Sequence, residues 1–136
     1  MRTLFFIGFY LYVFAVLNSC ASLNSEMILV YTDQNNNRYT ITANEIEYKA
    51  IQPEESSSGI YSGGTDKIAP ISSGDFKKIN SISELLFKEK SSHAIRREMM
   101  TSVLKRNYHG KSEQVILYTS ENRTAFEILL KDLTTN

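Results

Sequence analysis

Cysteine, tryptophan and histidine are scarce in this chain of 136 residues, which has one cysteine, no tryptophan and two histidines. The single Cys20 has no second cysteine to pair with, which excludes a fold held by internal disulfides. His93 and His109 do not form a His-x-x-x-His pair, so the ligand spacing typical of a transition-metal site is missing. We therefore expect neither a metal nor another cofactor.

Neither sign of charge is in excess, because 15 lysine and arginine residues balance 15 aspartate and glutamate residues. Removal of the N-terminal segment described below takes away Arg2 and leaves 14 basic against 15 acidic residues, a net charge of −1. The sequence therefore has no excess of basic residues of the kind that binds nucleic-acid phosphates. It also lacks the polybasic character that draws proteins to anionic lipid. We expect no nucleic-acid partner.

A long apolar run is present at the N-terminus, between Leu4 and Leu17. As a helix, these 14 residues would span about 21 Å, which is short of the ~30 Å hydrocarbon core of a bilayer. The run follows the basic Arg2 and precedes small residues, an arrangement typical of secretory signal peptides. The sequence therefore predicts a signal peptide over residues 1–19 that is removed on export.

The end of this segment, Leu17-Asn18-Ser19-Cys20, resembles the lipobox of bacterial lipoproteins. A large aliphatic residue stands three positions before the cysteine and a small residue directly before it, whereas Asn18 departs from the usual residue at its position. The resemblance implies that Cys20 becomes the mature N-terminus and carries the lipid, palmitate included. Residues 20–26 would then form a lipidated tether that attaches the protein to the membrane.

An ordinary signal peptide, cleaved after Ala21, is the alternative for the same residues. Ser19-Cys20-Ala21 satisfies the small-x-small pattern that precedes such a cleavage site. Cleavage there would release a soluble secreted domain without a lipid. The lone cysteine favours lipidation, because an unpaired cysteine in an exported chain needs an explanation and the lipid provides one.

A second resemblance lies further along the chain, in Tyr48, Pro53 and the run Ser56–Gly64. Over about residues 45–100 the sequence resembles small uncharacterised lipoproteins of the Bacteroidetes. The resemblance implies no catalytic residues, but it supports lipidation. In those lipoproteins an acidic run after the cysteine is associated with export to the cell surface. No such run follows Cys20, which implies the periplasmic face of the outer membrane.

Hydrophobic periodicity predicts a single α+β domain over residues 27–136. The compact apolar and β-branched run Met27–Thr32 predicts a first strand, and alternation predicts two more at Arg38–Ala43 and Ile46–Ala50. Thr42-Ala43-Asn44-Glu45 also fits a helix capping box, but the alternation favours a strand. Helical spacing predicts helices at Gly74–Lys88 and Glu121–Leu133, the second capped by Ser120. The expected fold is an antiparallel sheet of about five strands with two helices packed on one face.

The stretch Ser91–Asn107 fits either a helix or a strand. The apolar residues Ile95, Met99 and Val103 make a helical stripe, but Met100, Ser102 and Leu104 also alternate as in a strand. We favour a strand from about Glu98 to Arg106, because the strand predicted at Gln114–Thr119 needs a partner and the turn between them is short.

A glycine- and serine-rich loop interrupts the pattern at residues 52–74, and a loop of this length is usually functional or mobile. Its centre is close to the nucleophile elbow G-x-S-x-G but has Ile60 where the first glycine should stand. It is not a phosphate-binding Walker loop either, because no Gly-Lys-Ser/Thr follows. Paired glycines either cradle an anion or allow a sharp turn. We expect Ile60 and Tyr61 to pack back onto the sheet. The candidate binding loop is Ser58, Gly59, Ile60, Tyr61, Ser62, Gly63 and Gly64.

No arrangement of residues predicts catalysis. Ser102-Val103-Leu104-Lys105 matches the S-x-x-K pattern of penicillin-binding enzymes, but the companion motifs are missing. His93, close to Arg96 and Arg97, is interpreted as part of a solvated polar face. The sequence therefore favours a non-catalytic envelope module that binds an envelope protein or component. A small envelope enzyme or enzyme inhibitor that uses residues 52–69 is the alternative, and a purely structural component is a third possibility.

Overall fold

The computed structural model describes residues 26–135, so the predicted signal peptide and Cys20 lie outside the described range. Within that range the protein is an α+β domain with one seven-stranded sheet and two helices. The strand order is β4-β3-β2-β1-β6-β7-β5, and every neighbouring pair is antiparallel. The elements, in chain order, are β1 Ile28–Thr32, β2 Arg38–Ile41, β3 Glu45–Lys49, β4 Lys67–Pro70, α1 Ser73–Lys88, β5 His93–Ala94, β6 Ser102–Tyr108, β7 Lys111–Leu117 and α2 Glu121–Thr135.

The expectation of about five strands is wrong, because β4 and β5 add two strands that the sequence pattern does not reveal. β4 lies inside the predicted loop 52–74 and pairs with β3, from Glu45 opposite Pro70 to Tyr48 opposite Lys67. Its four residues include a proline, which is confined to sheet edges because it lacks the backbone donor. β5 has only two residues and is too short for any alternation to be visible.

The strand predicted from about Glu98 begins later, at Ser102. The preceding residues form a turn in which the Thr101 amide donates to the carbonyl of Glu98 at 3.2 Å. His93 is also placed differently from the expectation of a solvated face. It is half-buried, and its ring Nε2 lies 2.7 Å from the carbonyl oxygen of Leu86, the C-terminal part of α1.

One face of the sheet forms the core together with both helices. Alternation places Leu29 and Tyr31 of β1 on this face, where both are fully buried. Each fully buried aliphatic side chain contributes about 1.5–3 kcal/mol relative to exposure. The core consists of Leu29, Tyr31, Ile41, Ile46, Leu104 and Leu117 from the sheet and Ile79, Leu86, Phe126 and Leu130 from the helices.

Serine residues cap both helices. The Ser72 hydroxyl accepts from the Asp75 amide at 3.1 Å, and the Asp75 carboxylate accepts in return from the Ser72 amide at 3.3 Å. This reciprocal capping box satisfies amides that have no partner inside the helix. The predicted cap of α2 is confirmed, because Ser120 Oγ accepts from the Arg123 amide at 3.2 Å.

The two ends of the sheet differ in what they carry. β1 begins at Ile28, opposite Asn107, so the chain enters the domain at the end that holds the β6–β7 turn. The opposite end, called the far end below, carries the β1–β2 turn Asp33–Asn37, the β3–β4 loop 50–66 and the β5–β6 segment 95–101. Over residues 26–135, neither helix is long and apolar enough to cross a membrane.

Candidate functional site

The candidate binding loop, residues 58–64, lies at the far end and is held mainly by polar contacts. The Gly63 amide donates to the carbonyl of Ile51 at 3.0 Å, and the Tyr48 hydroxyl donates to the Gly63 carbonyl at 2.7 Å. Tyr61 remains 38% exposed. Ile60 is 84% exposed, so the expectation that it packs onto the sheet is wrong. Backbone hydrogen bonds, and not apolar burial, fix this loop.

Asn37 connects the loop to the β1–β2 turn. This buried side chain accepts from the Ile51 amide at 3.1 Å through Oδ1. Its Nδ2 donates to the Asp33 carboxylate at 2.8 Å and to the Tyr61 hydroxyl at 3.2 Å. The interpretation of the asparagine-rich run as a turn is confirmed, and one of its members also orders the neighbouring loop.

Gly63 is a glycine because its backbone approaches Asn37 closely. A Cβ at this position would lie 1.8 Å from Asn37 Oδ1 and 3.1 Å from the Ile51 amide nitrogen. We expect Gly63→Ala to lower the free energy of unfolding by about 1–3 kcal/mol, as overpacking usually does. Urea unfolding measures the difference, with Ser57→Ala on the exposed part of the loop as the control. Equal stability of the two variants would contradict the close packing.

The S-x-x-K match at Ser102–Lys105 does not bring its serine and lysine together. Ser102 and Lys105 are three residues apart on β6, so their side chains point to opposite faces of the sheet. Ser102 is fully buried on the core face. In residues 26–135 there is also no group of three or more His, Cys, Asp or Glu side chains that would hold a metal ion.

The segment between β5 and β6 carries the most exposed apolar side chains described. Ile95 is 102% exposed, Met99 is 91% exposed and Met100 is 57% exposed. Sequence reasoning missed this exposure, because the helix interpretation counts Ile95 and Met99 as part of an apolar stripe and the strand interpretation includes Met99 and Met100. The available signal was that the run fits a helix and a strand equally.

Hydrogen bonds hold this segment in place despite its exposure. Arg97 Nη2 donates to the Asp33 carbonyl at 2.9 Å and to Asn36 Oδ1 at 2.6 Å, which ties the segment to the β1–β2 turn. The Glu98 amide donates to Thr101 Oγ1 at 3.0 Å, and that hydroxyl donates to the Glu98 carbonyl at 2.7 Å. The exposed side chains therefore project from a fixed backbone.

Met100 adopts a left-handed backbone conformation with φ of 68°. For a residue other than glycine this conformation costs about 1–2 kcal/mol, so the surroundings must compensate for it. The compensation comes from Arg123, whose Nη1 donates to the Met100 carbonyl at 2.7 Å. Backbone strain of this kind clusters at functional sites.

Arg123 is only 2% exposed and links α2 to the strands and to the far end. Burial alone would lower its pKa, but interactions with Tyr31 and Glu127 outweigh burial and raise the pKa above its ordinary value. Burial raises the pKa of the Tyr31 hydroxyl, and its hydrogen bond to Glu127 raises it further. The acceptors of the guanidinium are the carbonyls of Met100 and Leu117, Tyr31 Oη, Gln34 Oε1 and Glu127 Oε1.

Comparison of the chain with protein families, curated proteins and solved structures found no match. The candidate site is therefore defined by its geometry. It is a far-end surface on which the β1–β2 turn contacts both neighbouring loops. Asn37 joins this turn to Tyr61, and Asn36 joins it to Arg97.

Proposed function

We propose that the protein is an exported, lipid-anchored module of the bacterial cell envelope that binds a partner protein through the segment Ile95–Met100. The anchor is the lipid on Cys20, and the location is the periplasmic face of the outer membrane. Support for the anchor comes from the signal-peptide and lipobox patterns of residues 1–20. Support for binding comes from the far-end surface. The proposed role is not catalytic.

The observation that carries the proposal is the exposure of Ile95 and Met99 on a segment whose backbone is fixed. Burial of apolar surface contributes about 25 cal/mol per Å². The two exposed side chains contribute nothing of this kind to folding, but they would contribute to binding if a partner covered them. A pre-organised segment also loses little conformational entropy on binding. Methionine suits such a surface because its flexible thioether adapts to irregular partners.

The position of the proposed anchor leaves the far-end surface accessible to a partner. Residues 21–27, seven in number, separate Cys20 from β1 and reach at most about 25 Å when fully extended. They join the domain at Ile28, the end of β1 opposite the β1–β2 turn. A lipid on Cys20 therefore leaves the far-end surface on the side of the domain away from its attachment, where a periplasmic partner has access.

An enzyme inhibitor that acts through residues 52–69 is the second candidate. The specific observation in its favour is Ile60, which is 84% exposed on a loop held by Gly63 and Tyr61. A protruding apolar residue on a constrained loop fits the cleft of an enzyme. The proposal ranks this second because Ile60 and Ile68, the most exposed apolar residues of the range 52–69 at 84% and 69%, lie eight positions apart. Ile95 and Met99 are more exposed, at 102% and 91%, and lie within one short segment.

Serine substitutions test the proposal once crosslinking in intact membranes has identified the partner. We expect Ile95→Ser combined with Met99→Ser to weaken binding of the purified partner at least tenfold, which corresponds to about 1.4 kcal/mol. The matched control is Ile128→Ser, which alters an isoleucine of similar chemistry that is 55% exposed on α2. Affinity is measured by calorimetric titration.

Three outcomes separate the candidates. Weakening by the double serine variant alone supports the proposal. Weakening by Ile60→Ser alone supports the inhibitor instead. Recovery of no partner after crosslinking in membranes would contradict both.

A further inference from the structure

β7 has an open edge over most of its length. On one side it pairs with β6 from Lys111 to Leu117, but on the other side β5 pairs only with Ile116 and Leu117. In residues 26–135 no strand lies beside Lys111–Val115 on that side, and the residues from Lys111 to Gln114 are exposed. The sheet therefore ends along five of the seven residues of β7.

The backbone groups on this edge follow from the register of the β6–β7 hairpin. Tyr108 and Lys111 close a two-residue turn and exchange hydrogen bonds, so every second residue of β7 bonds to β6. The alternate residues Ser112 and Gln114 direct their N–H and C=O groups away from β6. Further along the same edge the Tyr118 amide donates to the Ser92 carbonyl at 2.8 Å, which confirms the outward direction.

The opposite edge of the sheet is closed to such pairing. It is formed by β4, which has four residues and ends in Pro70. Proline has no amide hydrogen, and short edge strands with lysine and proline resist the addition of another strand. Lys67 occupies the other end of β4. Of the two edges, only that of β7 therefore presents several unpaired donors and acceptors in a row.

A cleft of about 350 Å³ lies beside the open edge on the core-facing side of the sheet. Arg106 lines the cleft. Its guanidinium carbon lies 4.6 Å from the centre of the Phe87 ring, and its nitrogens are ion-paired to Glu84 and Glu113. Both signs of charge line the cleft, which therefore suits a long polar side chain. Its lining residues are Glu84, Arg106, Tyr108, His109, Lys111 and Glu113.

We propose that an extended segment of the partner polypeptide adds to the sheet as a strand along Lys111–Val115, in line with β5. Its backbone bonds the outward groups of Ser112 and Gln114, and one of its side chains enters the cleft, as in other cases of strand addition. The strand ends against Ile95, the first residue after β5. This inference rests on the proposed function and specifies its partner as one that presents an extended peptide.

A second copy of this chain fits the edge less well. In a dimer, two β7 strands would pair antiparallel. To use the outward groups of both Ser112 and Gln114, Ser112 of one copy must lie opposite Gln114 of the other, so the pairing is centred on Glu113. This register places the Glu113 carboxylates of the two copies opposite one another. Each is ion-paired to Arg106 of its own copy, but Glu84 shares that guanidinium, so two carboxylates face one cation in each copy. Opposed like charges destabilise a strand pair. The edge therefore favours a chain of different sequence.

Gln114→Pro tests the edge without removing a bond to β6, because the Gln114 amide points outward. The probe is a phage-displayed library of random twelve-residue peptides, selected on the purified protein. We expect selected peptides to bind Gln114→Pro at least tenfold more weakly than the unmodified protein. The matched control, Gln114→Thr, changes the side chain, keeps the backbone donor and should retain full binding. Circular dichroism checks that both variants fold.

Amide hydrogen exchange of the unmodified protein gives a second measurement that does not depend on the folding of a variant. Bound peptide should slow exchange at Ser112 and Gln114, whose amides are otherwise open to water. Strand addition would be overturned if no peptide were enriched. It would also be overturned if the selected peptides bound Gln114→Pro as tightly as the unmodified protein and left these amides unprotected. A dimer that Gln114→Pro dissociates would overturn it in favour of a second copy.

The proposed function and the strand addition fail differently. If the purified partner loses affinity for Ile95→Ser with Met99→Ser but binds Gln114→Pro normally, the apolar segment is the site and the edge is not used. If only Gln114→Pro weakens the partner, strand addition stands and the assignment of the site to Ile95–Met100 is wrong.

Discussion

Replacement of Arg123 by methionine should lower the free energy of unfolding by about 3 kcal/mol, because its partners lose their donor inside the protein. The guanidinium is 2% exposed, whereas Glu127, its ion-pair partner at 2.9 Å, is 37% exposed at its side chain. The carbonyls of Met100 and Leu117 lose a charged donor at the same time. Methionine fills a similar volume, so the loss reports the polar contacts more than a cavity.

Urea unfolding monitored by circular dichroism measures this loss. Lys131→Met is the matched control, because it makes the same chemical change at an exposed position of α2. The double variant with Arg123→Met and Glu127→Met should regain at most part of the stability, because it removes the carboxylate that has lost its cation but also the acceptor of the Tyr31 hydroxyl. If Arg123→Met were as stable as Lys131→Met, the network around Arg123 would not hold α2 to the sheet.

Substitution of Cys20 should move the protein from the membrane to the soluble fraction. Each buried methylene of an acyl chain contributes about 0.8 kcal/mol, and stable anchoring requires more than one chain. Cys20→Ala removes the proposed site of lipid attachment and leaves Ser19 and Ala21 as small residues for ordinary signal cleavage. Export should therefore persist without the anchor.

Fractionation of cells that express the wild type, Cys20→Ala and the control Ser25→Ala measures this change. We expect the wild type and Ser25→Ala in membranes and nearly all of Cys20→Ala in the periplasmic soluble fraction. Retention of Cys20→Ala in membranes would show that another contact holds the protein there. A soluble wild type would support the alternative cleavage after Ala21.

The longer helices and strands were predictable from the sequence, because each contains enough residues to show a pattern. β1 is a compact apolar and β-branched run, β2 and β3 alternate, and α1 and α2 repeat their apolar residues at helical spacing. All five predictions are confirmed within a few residues. β4 and β5 were not predictable for the opposite reason. Their four and two residues, respectively, contain too little pattern, and only tertiary pairing defines them.

The far-end surface was only partly predictable. Turn chemistry correctly identified the asparagine run, but the predicted loop 52–74 is confirmed only as far as Asp66, where β4 follows. Within the loop, Gly63 is confined by a contact with Asn37. Ile95 and Met99 were misread because periodicity treats apolar residues as buried. Arg123 gave no local signal, since its acceptors at Met100 and Gln34 are 23 and 89 residues away in the chain.

Photo-crosslinking at residue 99 in intact cells tests the central claim most directly. A crosslinking amino acid replaces Met99, which is 91% exposed, and in a matched strain it replaces Ile128, which is 55% exposed. The account predicts one discrete crosslinked product from position 99 in membranes and none from position 128. Absence of a product at position 99, or the same products from both positions, would contradict a binding site at Ile95–Met100.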